Sequence, residues 1–413
     1  MNAFTWVFLA ALAAATATQL WLAYRQMRHV RAHRDTVPPM FAATIPAEAH
    51  QKAADYTVAK ARLSIGDLIV ETAAILALTL GGGVQLLSDL WAKLVAPGTL
   101  AHGTALLLSF VFVQAAVGLP LSLYRVFGIE QRFGFNRMTW RLYLSDLAKQ
   151  TALAIVLGVP LVLALLWLME HMGSLWWLYA WLMLTAFTIV LQLIFPALIL
   201  PLFNKFTPVA EGELAERVGA LLARCGFKSR GLYLMDGSKR SSHGNAFFAG
   251  FGATKRIVLF DTLVGRLEPP EVEAVLAHEL GHYKLHHIIK RIALSIATTL
   301  AGLWVLGQLM HEGWFYAGLG VAAPGMAAAL ALFTLVVPQF MFFLHPLTSH
   351  FSRQHEFEAD AYATSNADAA KLAQALVKLY RDNASTLTPD PLHSAFYDSH
   401  PPAAVRIARL RTA

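Results

Sequence analysis

Seven stretches of the chain, over residues 3–24, 65–91, 104–124, 151–168, 175–200, 292–310 and 325–347, are apolar nearly throughout. Each is close to the 20 or so residues that cross a bilayer as an α-helix. Two long polar segments, about 203–290 and 350–413, interrupt and follow them. The pattern predicts a mainly α, polytopic membrane protein in four parts. Residues 1–202 hold five spans and their loops, 203–290 a polar unit, 291–348 two more spans, and 349–413 a polar C-terminal segment. Pro120, Pro160 and Pro196 fall inside spans, where the missing backbone donor is expected to kink the helix.

Because successive loops alternate sides, basic residues test the span count. Of the 33 Lys and Arg, 32 lie in 25–62, 125–149, 205–291 and 353–411, all on one side, and Lys93 alone lies on the other. Basic loops stay cytoplasmic. Both polar segments and the C-terminus are therefore expected inside and the N-terminus outside. The first apolar stretch has no basic region ahead of it and Arg25, Arg28, Arg31 and Arg34 behind it, so it reads as a retained anchor.

Composition agrees: 56% of residues are hydrophobic and 14% charged, against about a quarter charged in a soluble domain. The net charge of +7 is then a topology signal, and the expected partner is the lipid bilayer with no nucleic acid. Cys225 is the only cysteine, which excludes an intrachain disulfide. Asp67 and Glu71, four apart at the cytoplasmic end of the second span, read as an interface pair facing water or the arginine cluster, with a functional carboxylate pair as the alternative.

The chemistry lies in the polar segments. From Glu268 the sequence reads EPPEVEAVLAHELGHYKLHH. Pro269 and Pro270 suit the first turn of a helix, and Glu271 and Glu273 its positive end. Val272, Val275, Leu276 and Leu280 make one apolar stripe, which predicts a helix lying on a folded domain outside lipid. His278 and His282, four apart, project from one face and are able to bind one ion, with Glu279 about 100° around the axis. This is H-E-x-x-H, in which the carboxylate takes a proton from water activated by zinc. With 16 His in the chain, about 0.02 matches are expected by chance.

A catalytic zinc needs a third protein ligand. No His lies six residues beyond His282, and His286 and His287 are expected to continue the helix as a polar end. The better candidate is in QHEFEADAYA, 354–363, where Glu356 and Asp360 share a helix face and Glu358 lies on another. Glu356 is then the ligand and Asp360 the acceptor that fixes the tautomer of a ligating His. Residues 245–248 and 256–260 read as two strands joined by a turn at Gly250 and Gly252. If the first is an exposed edge it is able to pair with substrate backbone; as a pattern alone it is equally a packed hairpin.

These residues together resemble the integral-membrane zinc CAAX prenyl proteases of type I. Beside HELGH and EFEAD the likeness includes VPP at 37–39, IEQRFGFN at 129–136, PLFNKFTP at 201–208, SKRSSHGNAFF at 238–248, KRIVLFDTL at 255–263 and SHPP at 399–402. The resemblance implies seven transmembrane helices enclosing a chamber, with a gluzincin-like domain holding one zinc per chain at the cytoplasmic end. It implies His278, His282 and Glu356 as ligands, Glu279 as general base, Asn245 and Ala246 as the substrate-pairing strand, and His400 and Arg406 near the reacting carbonyl. Its substrates are prenylated CAAX peptides that lose their last three residues. The alanine-rich spans suggest a bacterial cytoplasmic membrane, where a broader quality-control peptidase acting on unprenylated peptide or protein is the alternative. A seven-helix transporter or channel with a vestigial metal site is the non-enzymatic one. Oligomeric state is not expressed in any of these patterns.

Overall fold

The computed structural model describes residues 1–250 and 255–412. Among the described residues six helices are long and apolar enough to cross a membrane, and seven if one bent pair is counted as a single span. The N-terminal half runs α1 (Ala3–Ala32), α2 (Ala47–Leu78), α3 (Gly83–Ala92), α4 (Leu100–Leu123), α5 (Trp140–His171), α6 (Trp176–Ile194) and the short α7 (Leu200–Phe203). Large apolar side chains such as Phe112, Val156 and Val190 stay exposed on α4, α5 and α6, a surface suited to lipid. Pro120 lies inside α4, four residues ahead of a π-helical stretch over Tyr124–Glu130, Pro196 lies within a second one, Phe195–Ile199, and Pro160 stays inside continuous α5.

The expected second span, 65–91, is not one helix. α2 and α3 meet at a 53° bend. Thr79 ends α2, its hydroxyl turned back onto the Ile75 carbonyl at 2.6 Å, and Gly82 takes a left-handed backbone at φ 75°. Gly320 closes against this break so tightly that a Cβ there would stand 2.5 Å from the Thr79 carbonyl oxygen. Asp67 pairs with Arg125 at 3.1 Å, and Glu71 lines a separate cavity of about 370 Å³.

The polar part contains a four-stranded sheet of β1 (Phe206–Pro208), β2 (Leu232–Met235), β3 (Ala246–Ala249) and β4 (Arg256–Phe260), in the order β1-β2-β4-β3. β2 and β4 are parallel and the other pairs antiparallel. The expected hairpin is β3–β4, with Ala246 opposite Leu259 and Phe248 opposite Ile257. Gly250 has φ 87°, as a turn requires, and Gly252 lies outside the described residues. β3 is an edge strand.

The remaining helices are α8 (Glu213–Arg224), α9 (Asp261–Val264), α10 (Pro269–Lys284), α11 (His287–Leu309), α12 (Gly313–Gly318), α13 (Met326–Met341), α14 (His345–Asn366), α15 (Ala369–Asp382), α16 (Pro391–Tyr397) and α17 (Ala403–Thr412). α10 is buried nearly all round, at Ala274, Ala277 and Gly281 as well as on the expected stripe, because the sheet, α8, α14 and α15 surround it. Its residues join Val218, Leu221, Ile257, Leu259 and Ile407 in one core, distinct from the interhelical core around Phe8, Leu106, Leu166 and Leu332. The expected boundaries at 290 and 348 fall inside helices: α11 starts at His287, directly after α10, and α14 starts at His345, directly after the last span. The helix of the two histidines and the helix of Glu356 are thus anchored to the two C-terminal spans.

Candidate metal centre

α10 begins as its sequence suggests, with Pro269 and Pro270 in the first turn. Glu268 and Glu271 cap each other reciprocally, the Glu268 amide donating to Glu271 Oε2 at 2.8 Å. Two turns on, His278 and His282 face the same way, their Nε2 atoms 3.2 Å apart. α14 crosses α10 where residue 281 has no side chain: a Cβ on Gly281 would lie 2.9 Å from Ala359 Cα and 3.1 Å from Ala359 O. This close approach brings Glu356 Oε1 to 3.2 Å from His282 Nε2 and Glu356 Oε2 to 3.5 Å from His278 Nε2.

Those separations match a tetrahedral ion. Ligands about 2.1 Å from a centre stand about 3.4 Å from one another. The donor set also needs a cation. Behind the site, His278 Nδ1 is 2.9 Å from Asp360 Oδ1 and His282 Nδ1 is 2.9 Å from His287 Nδ1, so the ring protons have partners there and the two Nε2 lone pairs face each other and a carboxylate. Glu356 Oε2 is buried and without a hydrogen bond, because neither Nε2 nor His400 Nδ1, 2.7 Å away, meets it in hydrogen-bond geometry. A buried acceptor left this way is costly unless an ion meets it. The residues therefore fit a metal.

Asp360 is held below its ordinary range, against burial, by His278 and Arg406. Arg406, only 4% exposed, grips both Asp360 oxygens at 2.7 Å and comes within 3.4 Å of Glu356 Oε2. Its Nη2 is 3.0 and 3.2 Å from the two ring nitrogens of His278, too nearly equal to be in line with either lone pair, so the charged Asp360 is the partner of the Nδ1 proton. Arg406 is thus bound among the ligands, whereas His400 stays largely exposed at their side.

Glu279 is half-buried on the next side of α10. A cavity of about 710 Å³ opens at His400 and Arg406 and extends past Ser64, Lys60 and Tyr380. β3 packs against α10 and presents its free edge. The Asn245 carbonyl accepts from the Phe260 amide, so by strand alternation the Ala246 amide points to the open side, where the Asn245 side chain meets it at 2.8 Å. His278, His282, Glu356, Asp360, His400 and Arg406 are thus brought together, with Glu279 on the adjoining side of α10 and Asn245 and Ala246 at the start of a strand that packs against that helix. Missed were His287 and Glu358. His287 does not continue α10: His286 adopts a left-handed backbone, φ 59° and ψ 28°, and His287 starts a new helix beside His282. The doubled histidine was the only signal, and helical periodicity places it on the wrong face.

A carboxylate beside two helix-borne imidazoles and a third acidic ligand, held on helices that run into apolar spans, defines a multi-pass membrane metallopeptidase. The chain belongs to peptidase family M48: residues 208–413 match the model of that family, and residues 26–205 match "CAAX prenyl protease N-terminal, five membrane helices". Similar proteins include the CAAX prenyl protease 1 homolog of Oryza sativa, 34% identical over 93% of each chain. CAAX prenyl protease 1 of Saccharomyces cerevisiae is 32% identical over 94% of this chain and 91% of its own. The human CAAX prenyl protease 1 homolog is 31% identical over 98% of this chain and 95% of its own. The crystal structure of S. mikatae Ste24p superposes with a TM-score of 0.89 over 99% of both chains at 31% identity.

Proposed function

We propose that this protein is a zinc endopeptidase that cuts near the C-terminus of prenylated CAAX-type substrates. The observation that carries the reading is the convergence of the His278, His282 and Glu356 ligand atoms on one another, next along the helix to Glu279, in a chain whose full-length relatives are named CAAX prenyl proteases. The three residues would hold one zinc per chain, the soft-to-borderline ion that two imidazoles and a carboxylate suit. When bound, the metal supplies a Lewis acid for the scissile carbonyl and makes the attacking water easier to deprotonate.

This chain's residues do the rest. Glu279 takes the proton from water and returns it to the leaving amine. The open edge of β3 pairs with substrate backbone through Ala246, with the Asn245 side chain yielding its place on that amide. His400, exposed beside Glu356, donates to the oxygen of the reacting carbonyl, and Arg406 adds positive charge from behind while keeping Asp360 in place. Segments 1–202 and 291–348 supply the membrane frame, and 203–290 and 349–413 the centre. The one-sided basic loops favour a cytoplasmic centre and C-terminus with the N-terminus outside.

The test assays purified wild type and Glu279→Gln on a farnesylated CAAX peptide and its unprenylated twin. Expected are cleavage that depends on the lipid and a loss of at least about 100-fold in turnover with zinc retained in the variant. Equal cleavage of both peptides would favour the quality-control peptidase. Unchanged activity in Glu279→Gln would remove the general base.

A further inference from the structure

α10 ends at Lys284, and the left-handed His286 turns the chain before α11 begins. Few residues other than glycine adopt this conformation, and it persists where the surroundings demand it. In an unbroken helix His287 would stand about 140° around the axis from His282, facing elsewhere. The break instead sets the two Nδ1 atoms 2.9 Å apart and places His287 Nε2 2.8 Å from Glu358 Oε2. His287 is 1% exposed, so its ring nitrogens have to find partners inside the protein.

Only one arrangement of protons lets His282 be a ligand. Its Nε2 faces the metal position, so its proton sits on Nδ1 and needs an acceptor. That acceptor is His287 Nδ1, which is then unprotonated; the His287 proton sits on Nε2 and Glu358 accepts it. With the first bond reversed, the His282 proton would occupy Nε2 and block coordination. We propose that His287, backed by Glu358, is the positioning residue that holds His282 in its metal-binding tautomer. This rests on reading His278, His282 and Glu356 as the metal ligands.

The two ligating histidines are thus backed unequally. His278 leans on the buried Asp360, itself gripped by Arg406, whereas His282 leans on an imidazole whose own acceptor, Glu358, is half-exposed. His287, Glu358 and His355 also lie within reach of a common ion. However, the His287 and His355 rings stack at 4.0 Å and 10°, so their lone pairs run parallel instead of converging, and both His287 nitrogens are engaged. A second ion does not fit this group.

The experiment strips the purified full-length protein of metal, then measures zinc affinity by chelator competition, the visible spectrum of the cobalt-loaded form, and the melting temperature of the metal-free form. His287→Leu is expected to bind zinc about 10- to 100-fold more weakly with an altered cobalt spectrum. Its metal-free melting should be unchanged. His287→Gln, whose amide accepts with one end and donates with the other, should recover affinity and spectrum. His355→Leu should match wild type at one zinc per chain. Wild-type affinity in His287→Leu, no recovery in His287→Gln, or two zinc per chain with one lost in His355→Leu would each overturn the proposal. If His287→Leu does not fold, Glu358→Gln is expected to weaken zinc in the same direction, and wild-type affinity there overturns it. Glu356→Ala separates the underlying reading: full zinc in that variant refutes the ligand set itself, not the arm behind it.

Discussion

Replacing Gly281 by Ala tests what holds the metal ligands in register. The added Cβ would meet Ala359 Cα at 2.9 Å, Ala359 O at 3.1 Å and Tyr362 Cβ at 3.1 Å. Two of these are backbone atoms and cannot rotate away. Carbon atoms in comfortable contact are about 3.5–4.0 Å apart, so α10 and α14 must part by roughly 0.5–1 Å. Glu356 lies one turn from Ala359 on the same helix and moves with it, while His278 and His282 stay on α10. Ligand distances in metal sites hold to about 0.2 Å, so the displacement exceeds what the centre tolerates. A loss of at least tenfold in metal affinity follows, about 1.4 kcal/mol. Stability responds less. Overpacking costs about 1–3 kcal/mol, offset by about 1 kcal/mol of better helix propensity. Gly219→Ala is the control: this residue lies inside α8 with nothing within 4 Å of its added Cβ, and should stabilise the protein by up to about 1 kcal/mol with metal affinity unchanged. Zinc affinity by chelator competition and melting temperature in detergent read both variants. Wild-type affinity and melting in Gly281→Ala would mean that this backbone contact does not set the position of Glu356.

Glu356→Ala should purify with less than one zinc per chain, and Asp360→Ala should lose about 10- to 100-fold in affinity or activity; elemental analysis and chelator competition distinguish the two, and equal losses would contradict their assigned roles. Asp390 caps α16 through the Leu392 and His393 amides and binds Arg25 of α1, and these partners, against burial, hold its carboxyl below its ordinary range. A depressed folded-state value gives stability that is present above the unfolded value of about 3.9 and lost as pH falls through the folded one. Asp390→Asn should therefore melt lower than wild type at neutral pH, with the gap closing below about pH 4; a gap independent of pH would refute this.

The reach of the sequence followed the range of the physics. Spans were legible because lipid demands an apolar run of fixed length, and the β3–β4 hairpin because its two strands are neighbours along the chain. The break between α2 and α3 was not legible: 65–91 passes as one apolar run, and the close packing of Gly320 against Thr79 at the bend comes from distant chain. β1 and β2 escaped notice because strands of three and four residues carry almost no periodic signal, and β2 pairs with β4 across intervening chain.

At the centre the same division holds. By itself the sequence determined that His278 and His282 share a face, with Glu279 beside them, since residues four apart on a helix are one turn apart whatever surrounds them. It also determined that Glu356 and Asp360 form a pair of the same kind. Only the tertiary structure brought the two pairs together, through an approach of α10 to α14 that Gly281 permits and no local pattern encodes. Only the tertiary structure returned His287 to His282, because the left-handed turn at His286 breaks the period from which its direction would otherwise be read.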